Sequence, residues 1–191
     1  MRARLFCLAF FSVACMLGAI QDAAAGPLEN QRFICNTGYS VKNCVEEIAL
    51  LKAALAAYPV ERLGAWTWVL VKSADWKEIL RSRGLNADSP AFSFPERRQT
   101  FLEEALFVPV PQRSGELLLI WNLPRPELLN LAVTHELGHC LCNDGSEANA
   151  NLIGGDLRKG RSPECKAGSR KEPRLEASER NTNVMLVDHF E

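Results

Sequence analysis

The chain has 191 residues, enough for one domain, and its 47% hydrophobic and 24% charged residues are typical of a globular protein. This composition excludes wholesale disorder and a protein with many membrane spans. The formal net charge of -1 offers no basic surface for nucleic acid or for an anionic membrane, so we expect neither as a partner.

The first 25 residues have the pattern of a secretory signal peptide. Two arginines precede an apolar run over residues 5–20, and alanines 23–25 are the small residues that a signal peptidase accepts. The run is shorter than the roughly 20 residues of a membrane-spanning helix. An uncleaved anchor and a lipoprotein processed at Cys15 are the alternatives. We expect cleavage near Ala25 and a secreted or periplasmic protein with no membrane contact afterwards.

Five cysteines follow the predicted cleavage site, and an exported protein can hold such residues in disulfide bonds. Cys35 and Cys44 flank a turn-rich stretch, so we predict a local disulfide bond between them. Cys165 can pair with Cys142, which we favour, or with Cys140. One thiol then stays unpaired, and the sequence does not assign it.

The first half of the mature chain predicts a helix, a strand and a second helix. Ser40 is placed to cap a helix over residues 41–57, whose apolar residues recur at steps of three and four. Residues 66–71 are rich in aromatic and β-branched side chains and predict a strand. Ser73 is placed to cap a short helix over residues 74–83, and Gly84 is suited to end it in the left-handed conformation.

The middle of the chain predicts a loop and then strands. Residues 86–98 contain two prolines and are expected to form a loop. Residues 100–110 predict a strand or a hairpin, and the apolar run at 116–121 predicts a buried strand.

The last part of the domain predicts two helices and a tail. One helix is expected over residues 126–142, and Ser146 is placed to cap another that extends to about residue 157. Together the elements predict an α+β domain over residues 26–157 with a small mixed or antiparallel sheet. Residues 158–191 are predicted to form a charged C-terminal tail that can pack on this domain.

A metal-binding motif lies inside the predicted helix at 126–142. Residues 135–139 read HELGH, which matches HExxH. Positions i and i+4 share a helical face, so the imidazoles of His135 and His139 can converge on one Zn²⁺. Glu136 can then act as the general base for a zinc-activated water. Gly138 is unfavourable inside a helix and indicates that another backbone or a metal shell approaches closely.

A catalytic zinc site needs a third protein ligand. We favour Glu147, because a turn near Asn143 would bring the start of the following helix back beside His139. The residues alone leave four alternatives open: His189, Cys142, Asp144 and Glu176.

At these residues the chain resembles the zincin metallopeptidases, and it is most similar to the gluzincins, in which a glutamate on a later helix completes two histidines. Residues 147–151 read EANAN, which resembles the start of that helix with Asn151 in place of an aspartate. The interval from His139 to Glu147 is shorter than is usual for gluzincins. The metzincin pattern fails, because Gly145 occupies the position of its third histidine.

The resemblance covers residues 126–154 and implies a zincin-like fold, bound Zn²⁺ and a peptide or protein substrate. In zincins the substrate commonly lies extended against an edge strand above the metal helix. We expect residues 100–110 or 116–121 to supply that edge strand here. The four tryptophans are expected in the core more than in a cleft. The alternative function is a non-catalytic exported zinc-binding or disulfide-stabilised binding module. The sequence does not give the oligomeric state.

Overall fold

The computed structural model describes residues 28–165 of the chain. The predicted signal peptide lies outside this range, and so does the tail beyond Cys165, including the alternative ligands Glu176 and His189. Within the described range no helix is long and apolar enough to cross a membrane.

A four-stranded mixed sheet forms the centre of the fold. Its strands are β1 (Gln31–Cys35), β2 (Trp66–Val71), β3 (Ala91–Phe94) and β4 (Gln99–Glu103). The spatial order is β1-β2-β4-β3, in which β1, β2 and β4 run parallel and β3 pairs antiparallel with β4. The predicted α+β class with a small mixed sheet is therefore confirmed at that level.

Five α-helices accompany the sheet in the described range: α1 (Val41–Leu55), α2 (Ser73–Ser82), α3 (Arg113–Trp121), α4 (Arg125–Cys142) and α5 (Glu147–Arg158). Four of them lie where the sequence predicted helices. The predicted caps of α1 and α5 are also present, since the Ser40 hydroxyl accepts the Asn43 N–H and the Ser146 hydroxyl accepts the Asn149 N–H. The predicted Ser73 cap is wrong, because Ser73 is the first residue of α2 and makes no capping hydrogen bond. Gly84 follows α2 with a φ of +67°.

The predicted buried strand at 116–121 is wrong, because these residues belong to α3. A short apolar run fits a strand and a helix equally well, and leucine favours the helix. Glu116 in the first part of α3 pairs with Lys77 and Arg113, which supports the helical arrangement. The helix leaves Leu119 86% exposed, so the run is not a buried element.

The predicted loop at 86–98 is wrong in part, because it contains β3 between Pro90 and Pro95. The strand at 100–110 is confirmed only for its first residues, since β4 ends at Glu103 and a 3₁₀ turn follows. Strand β1 was not predicted at all. These short strands exist because β2 and β4 offer hydrogen-bonding edges, which a local pattern does not record.

Most of the core lies between the sheet and α4. Buried side chains on this side include Leu51, Trp68, Leu102, Val133 and Leu137. A smaller cluster on the other side packs α2 against the sheet through Trp76, Leu80 and Phe92. Trp66, Trp68 and Trp76 are buried as predicted, whereas Trp121 is 37% exposed. The core thus fixes α4 against one face of the sheet.

Two disulfide bonds connect these elements. Cys35–Cys44 links β1 to α1, and Cys142–Cys165 ties the chain after α5 to the end of α4. Both predicted pairings are confirmed, and the thiol that stays free is the buried Cys140. Such bonds are typical of proteins in an oxidising compartment.

Candidate metal centre

Close backbone contact between α4 and α5 positions the centre. A Cβ atom at Gly154 on α5 would stand 2.8 Å from the Thr134 carbonyl oxygen on α4, so only glycine fits there without a shift. Gly138 on α4 likewise lies directly against the backbone of α5. The close contact that Gly138 predicted is therefore confirmed, and the approaching group is a backbone.

A tight turn brings α5 back beside the end of α4. Asn143 ends α4 in the left-handed conformation with a φ of 47°, and the Asp144 N–H donates to the His139 carbonyl at 3.1 Å. The Asp144 carboxylate accepts the Ser146 N–H at 2.9 Å. Glu147, the first residue of α5, consequently lies next to His139, as the spacing predicted.

Three side chains converge at this point. The Nε2 atoms of His135 and His139 are 3.2 Å apart. The Glu147 carboxylate lies 3.1 Å from the first of these nitrogens and 3.5 Å from the second. His139 is 8% exposed, whereas the Glu147 side chain is 76% exposed, so the cluster is open to solvent on the side of the carboxylate.

Each histidine is oriented through its other ring nitrogen. The Asn151 side-chain oxygen lies 3.0 Å from Nδ1 of His135, and the Asp144 backbone carbonyl lies 2.8 Å from Nδ1 of His139. Both partners accept hydrogen bonds, so they favour a proton on Nδ1 and leave the Nε2 lone pair available. Burial, together with the neighbouring His139, lowers the pKa of His135 and favours the neutral ring.

These donors fit a divalent cation such as Zn²⁺. Ligands at about 2.0–2.1 Å from a tetrahedral zinc are about 3.3 Å from each other, close to the distances between Nε2 of His135, Nε2 of His139 and the Glu147 carboxylate. Two neutral imidazoles and one carboxylate are a donor set that catalytic zinc sites use, with a fourth position left for water or substrate. Across residues 28–165, His135, His139 and Glu147 are the one group of histidine, cysteine and carboxylate side chains whose ligand atoms lie close enough together to hold a metal ion.

The remaining ligand candidates do not join this cluster within the described residues. The Cys142 thiol is consumed by the disulfide bond with Cys165. The Asp144 carboxylate is directed to the start of α5, where it accepts from Ser146 and Asn149. The other two, Glu176 and His189, lie outside the range that the structure describes.

Glu136 lies in the wall of the same cleft and is almost completely buried at 4% exposure. Its Oε2 atom has no hydrogen-bond partner among the described residues. Burial raises the pKa of Glu136 to about 8, although a hydrogen bond from Ser93 acts in the opposite direction. An unpartnered buried carboxyl oxygen is uncommon in proteins and is typical of a functional site.

The centre opens into a cleft of about 640 Å³ between α4 and β3. The loop before β3 and Trp121 at the end of α3 also line the cleft. Sequence reasoning missed β3 and placed Trp121 in the core. The alternation of residues 91–94 (Ala-Phe-Ser-Phe) was the available signal for the strand.

Strand β3 is the edge of the sheet beside the cleft. Pro90 accepts a hydrogen bond from Glu103, and antiparallel pairs alternate, so the backbone groups of Ala91 and Ser93 face away from β4. The expected edge strand at 100–110 or 116–121 is wrong, because β4 lies between β2 and β3 and the second segment is helical.

Comparisons of the chain with protein-family models, with curated proteins and with solved structures found no match. Inference about function therefore depends on the residues of the cleft. The likeness to zincins remains an expectation from the motif.

Proposed function

We propose that the protein is a secreted or periplasmic zinc metallopeptidase of the zincin type, most similar to the gluzincins, that hydrolyses peptide bonds. The observation that carries this proposal is the convergence of His135, His139 and Glu147 beside the buried carboxyl group of Glu136. The two disulfide bonds support export to an oxidising compartment.

His135, His139 and Glu147 would hold the ion. A bound Zn²⁺ supplies Lewis acidity, which lowers the pKa of water and polarises a carbonyl group. The residues around it are arranged in advance, because Asn151 and the Asp144 carbonyl hold both rings with Nε2 directed to Glu147. Such fixed orientation reduces the reorganisation that ion binding requires.

Glu136 is the general base in this proposal. A bound cation beside it would favour the charged carboxylate and so oppose the rise in pKa that burial causes. Glu136 takes a proton from the attacking water and passes it to the departing amide nitrogen when the peptide bond breaks. The position supports the role, since its carboxyl group lines the cleft and its Oε2 has no partner within residues 28–165. The Ser93 hydroxyl on β3 acts to lower the pKa of this carboxyl group, which favours the ionised form that a base requires.

The backbone of β3 is suited to hold an extended substrate. The outward N–H and C=O groups of Ala91 and Ser93 can pair with a peptide in the manner of an added strand. Both residues lie beside His135 and Glu136 in the wall of the cleft. A peptide aligned on β3 would thus pass the metal centre in an extended conformation.

Metal analysis and hydrolysis of unstructured protein test the proposal together. We expect residues 26–191, purified with the disulfide bonds intact, to retain one Zn²⁺ per chain and to cleave casein or a peptide library. Glu136→Gln should abolish cleavage and keep both the zinc content and the fold. Glu127→Gln is the matched control, because this residue is exposed in the first turn of the same helix.

Three outcomes would count against the proposal. Absence of stoichiometric zinc after dialysis against a zinc buffer would remove the metal centre. Retained zinc with equal activity of the wild type and Glu136→Gln, or with no activity in either, would favour the alternative of a non-catalytic zinc-binding module. Chelation that leaves the melting temperature unchanged would argue against a bound ion in either function.

A further inference from the structure

The walls of the cleft beyond the metal centre carry no charge within the described chain. The ionisable side chains among its lining residues are His135, Glu136, His139 and Glu147, all of which belong to the centre itself. Large apolar residues make up much of the remaining wall: Leu85, Pro90, Phe92, Trp121, Leu128 and Leu131. A charged group bound there would lose water without gaining a partner of opposite charge.

An apolar stripe on α4 leads away from the metal centre. Leu128 and Leu131 precede His135 by seven and four residues, so they share its helical face. Both line the cleft, and Leu128 is 3% exposed. The stripe therefore starts beside the first histidine and continues along the helix.

Trp121 on α3 lines the same cleft as this stripe. It is the last residue of α3, and its indole N–H donates to the Asp88 carbonyl at 3.3 Å in the loop before β3. Asn122 follows in the left-handed conformation and reverses the chain towards α4. The ring is thereby held between α3, the loop and the cleft while it remains 37% exposed.

A peptide paired with β3 would present side chains alternately to the two faces of the sheet. Side chains on the face of Ala91 and Ser93 point to α4, because these residues pack on that side near Cys140. The side chain next to the scissile bond on this face would enter the space bounded by Trp121, Leu128 and Leu131.

We infer that Trp121, Leu128 and Leu131 form a subsite for one large apolar side chain, and that the enzyme is an endopeptidase. This inference rests on the proposed function. The described cleft offers no lysine or arginine to hold a terminal carboxylate, and its carboxylates belong to the catalytic centre. A peptide interior, which has neither terminal charge, suits such a cleft.

Peptides with both ends blocked test the specificity directly. We expect kcat/KM to be about 10–100-fold higher for peptides with Phe or Leu beside the scissile bond than for Ala, since one filled pocket discriminates to this extent. Asp or Lys at that position should be cleaved more slowly than Ala. Trp121→Ala should reduce the Phe preference about tenfold. Leu119→Ala is the control, because this residue on α3 is 86% exposed and does not line the cleft.

A binding measurement separates the subsite from catalysis. Calorimetric titration of the Glu136→Gln variant with a blocked Phe peptide should show binding that Trp121→Ala weakens about tenfold. Leu131→Ala should weaken it as well, and it replaces the tryptophan variant if that variant does not fold by circular dichroism. Equal binding of Phe and Asp peptides, or cleavage that requires a free terminus, would overturn the inference while the peptidase proposal stands. Trp121-dependent binding without any hydrolysis would instead leave the subsite intact and refute the peptidase.

Discussion

Gly138 of α4 lies directly against the backbone of Ala150 in α5, where a Cβ atom at position 138 would stand 2.5 Å from the Ala150 carbonyl oxygen. Real side chains do not tolerate that distance, so the two helices can approach this closely only with glycine. The contact holds the start of α5 next to His139. The position of Glu147 is therefore decided by a residue that makes no contact with a metal ion.

Replacing Gly138 with alanine should separate α4 from α5. The methyl group gains about 0.5–1 kcal/mol of helix propensity, but backbone overlap costs more, and we expect a net loss of about 1–3 kcal/mol in the free energy of unfolding. Zinc affinity should fall as well. Gly155→Ala is the control, since nothing lies within 4 Å of its added Cβ and it should stabilise α5. Urea unfolding checks both, and equal stability of the two variants would contradict the close contact.

Asn151 should control zinc affinity through His135. Asn151→Ala removes the acceptor of the Nδ1 proton, and we expect zinc binding to weaken about 10–100-fold. Asn151→Asp keeps an acceptor, so its affinity should equal or exceed that of the wild type. Competition with a chromophoric chelator measures these constants. Leu152→Ala, at an exposed position of the same helix, should have no effect. Unchanged affinity in Asn151→Ala would show that the ring needs no such support.

The free energy of unfolding should fall as the pH rises from about 4.5 to 7, because of Glu47. This side chain is fully buried, and burial raises its pKa from 4.5 to about 7 although the Tyr39 hydroxyl donates to it at 2.9 Å. The unfolded chain loses the proton near 4.5 and the native protein keeps it to about 7. The free energy of unfolding therefore decreases as pH rises through this interval.

Glu47→Gln should remove this decrease, which we expect to be on the order of 3 kcal/mol. Urea unfolding of both proteins from pH 4 to 8 measures the difference. Glu61→Gln changes an exposed carboxylate that does not contribute to the pKa of Glu47, and it should leave the slope unchanged. A parallel pH dependence in the wild type and Glu47→Gln would refute the assignment to Glu47.

The ion pair of Arg113 and Glu103 should anchor α3 to the sheet. Nε and Nη2 of Arg113 lie 2.8 and 2.9 Å from the two oxygens of Glu103, which is completely buried. Arg113→Ala leaves that carboxylate unpaired, and we expect a loss of about 3–5 kcal/mol. The double variant Glu103→Leu, Arg113→Met should lose much less. Thermal and urea unfolding compare the two, and a double variant as unstable as Arg113→Ala would contradict this view.

Local residues predict some helices of this fold well and the short strands poorly, for physical reasons. Helix α1 carries a serine cap and an apolar periodicity, α5 carries a serine cap, and α4 has Pro126 in its first turn, so local residues predict all three well. The segment at 116–121 has no such periodicity, and it became a helix because Glu116 and Arg113 find partners on α2 and β4. Strands β1 and β3 are short and are defined by their neighbours in the sheet.

The candidate site shows the same division. Residues 135–139 place two histidines on one helical face whatever the rest of the chain does, and the turn near Asn143 favours Glu147 because it is short. The roles of Asn151 and the Asp144 carbonyl depend on how α4 packs on α5, and spacing alone does not reveal them. Trp121 reaches the cleft only because α3 reverses into α4.

The sequence by itself determined the helical HExxH segment, the local Cys35–Cys44 pairing and the α+β class, since each depends on local spacing or on residue chemistry, whereas it left Cys165 with two possible partners. Tertiary structure alone decided which strand forms the edge beside the cleft, which partners orient the histidines and which apolar side chains line the walls. These features arise from contacts between segments far apart in the chain, and their energies are set by burial and pairing that appear only when the elements pack together.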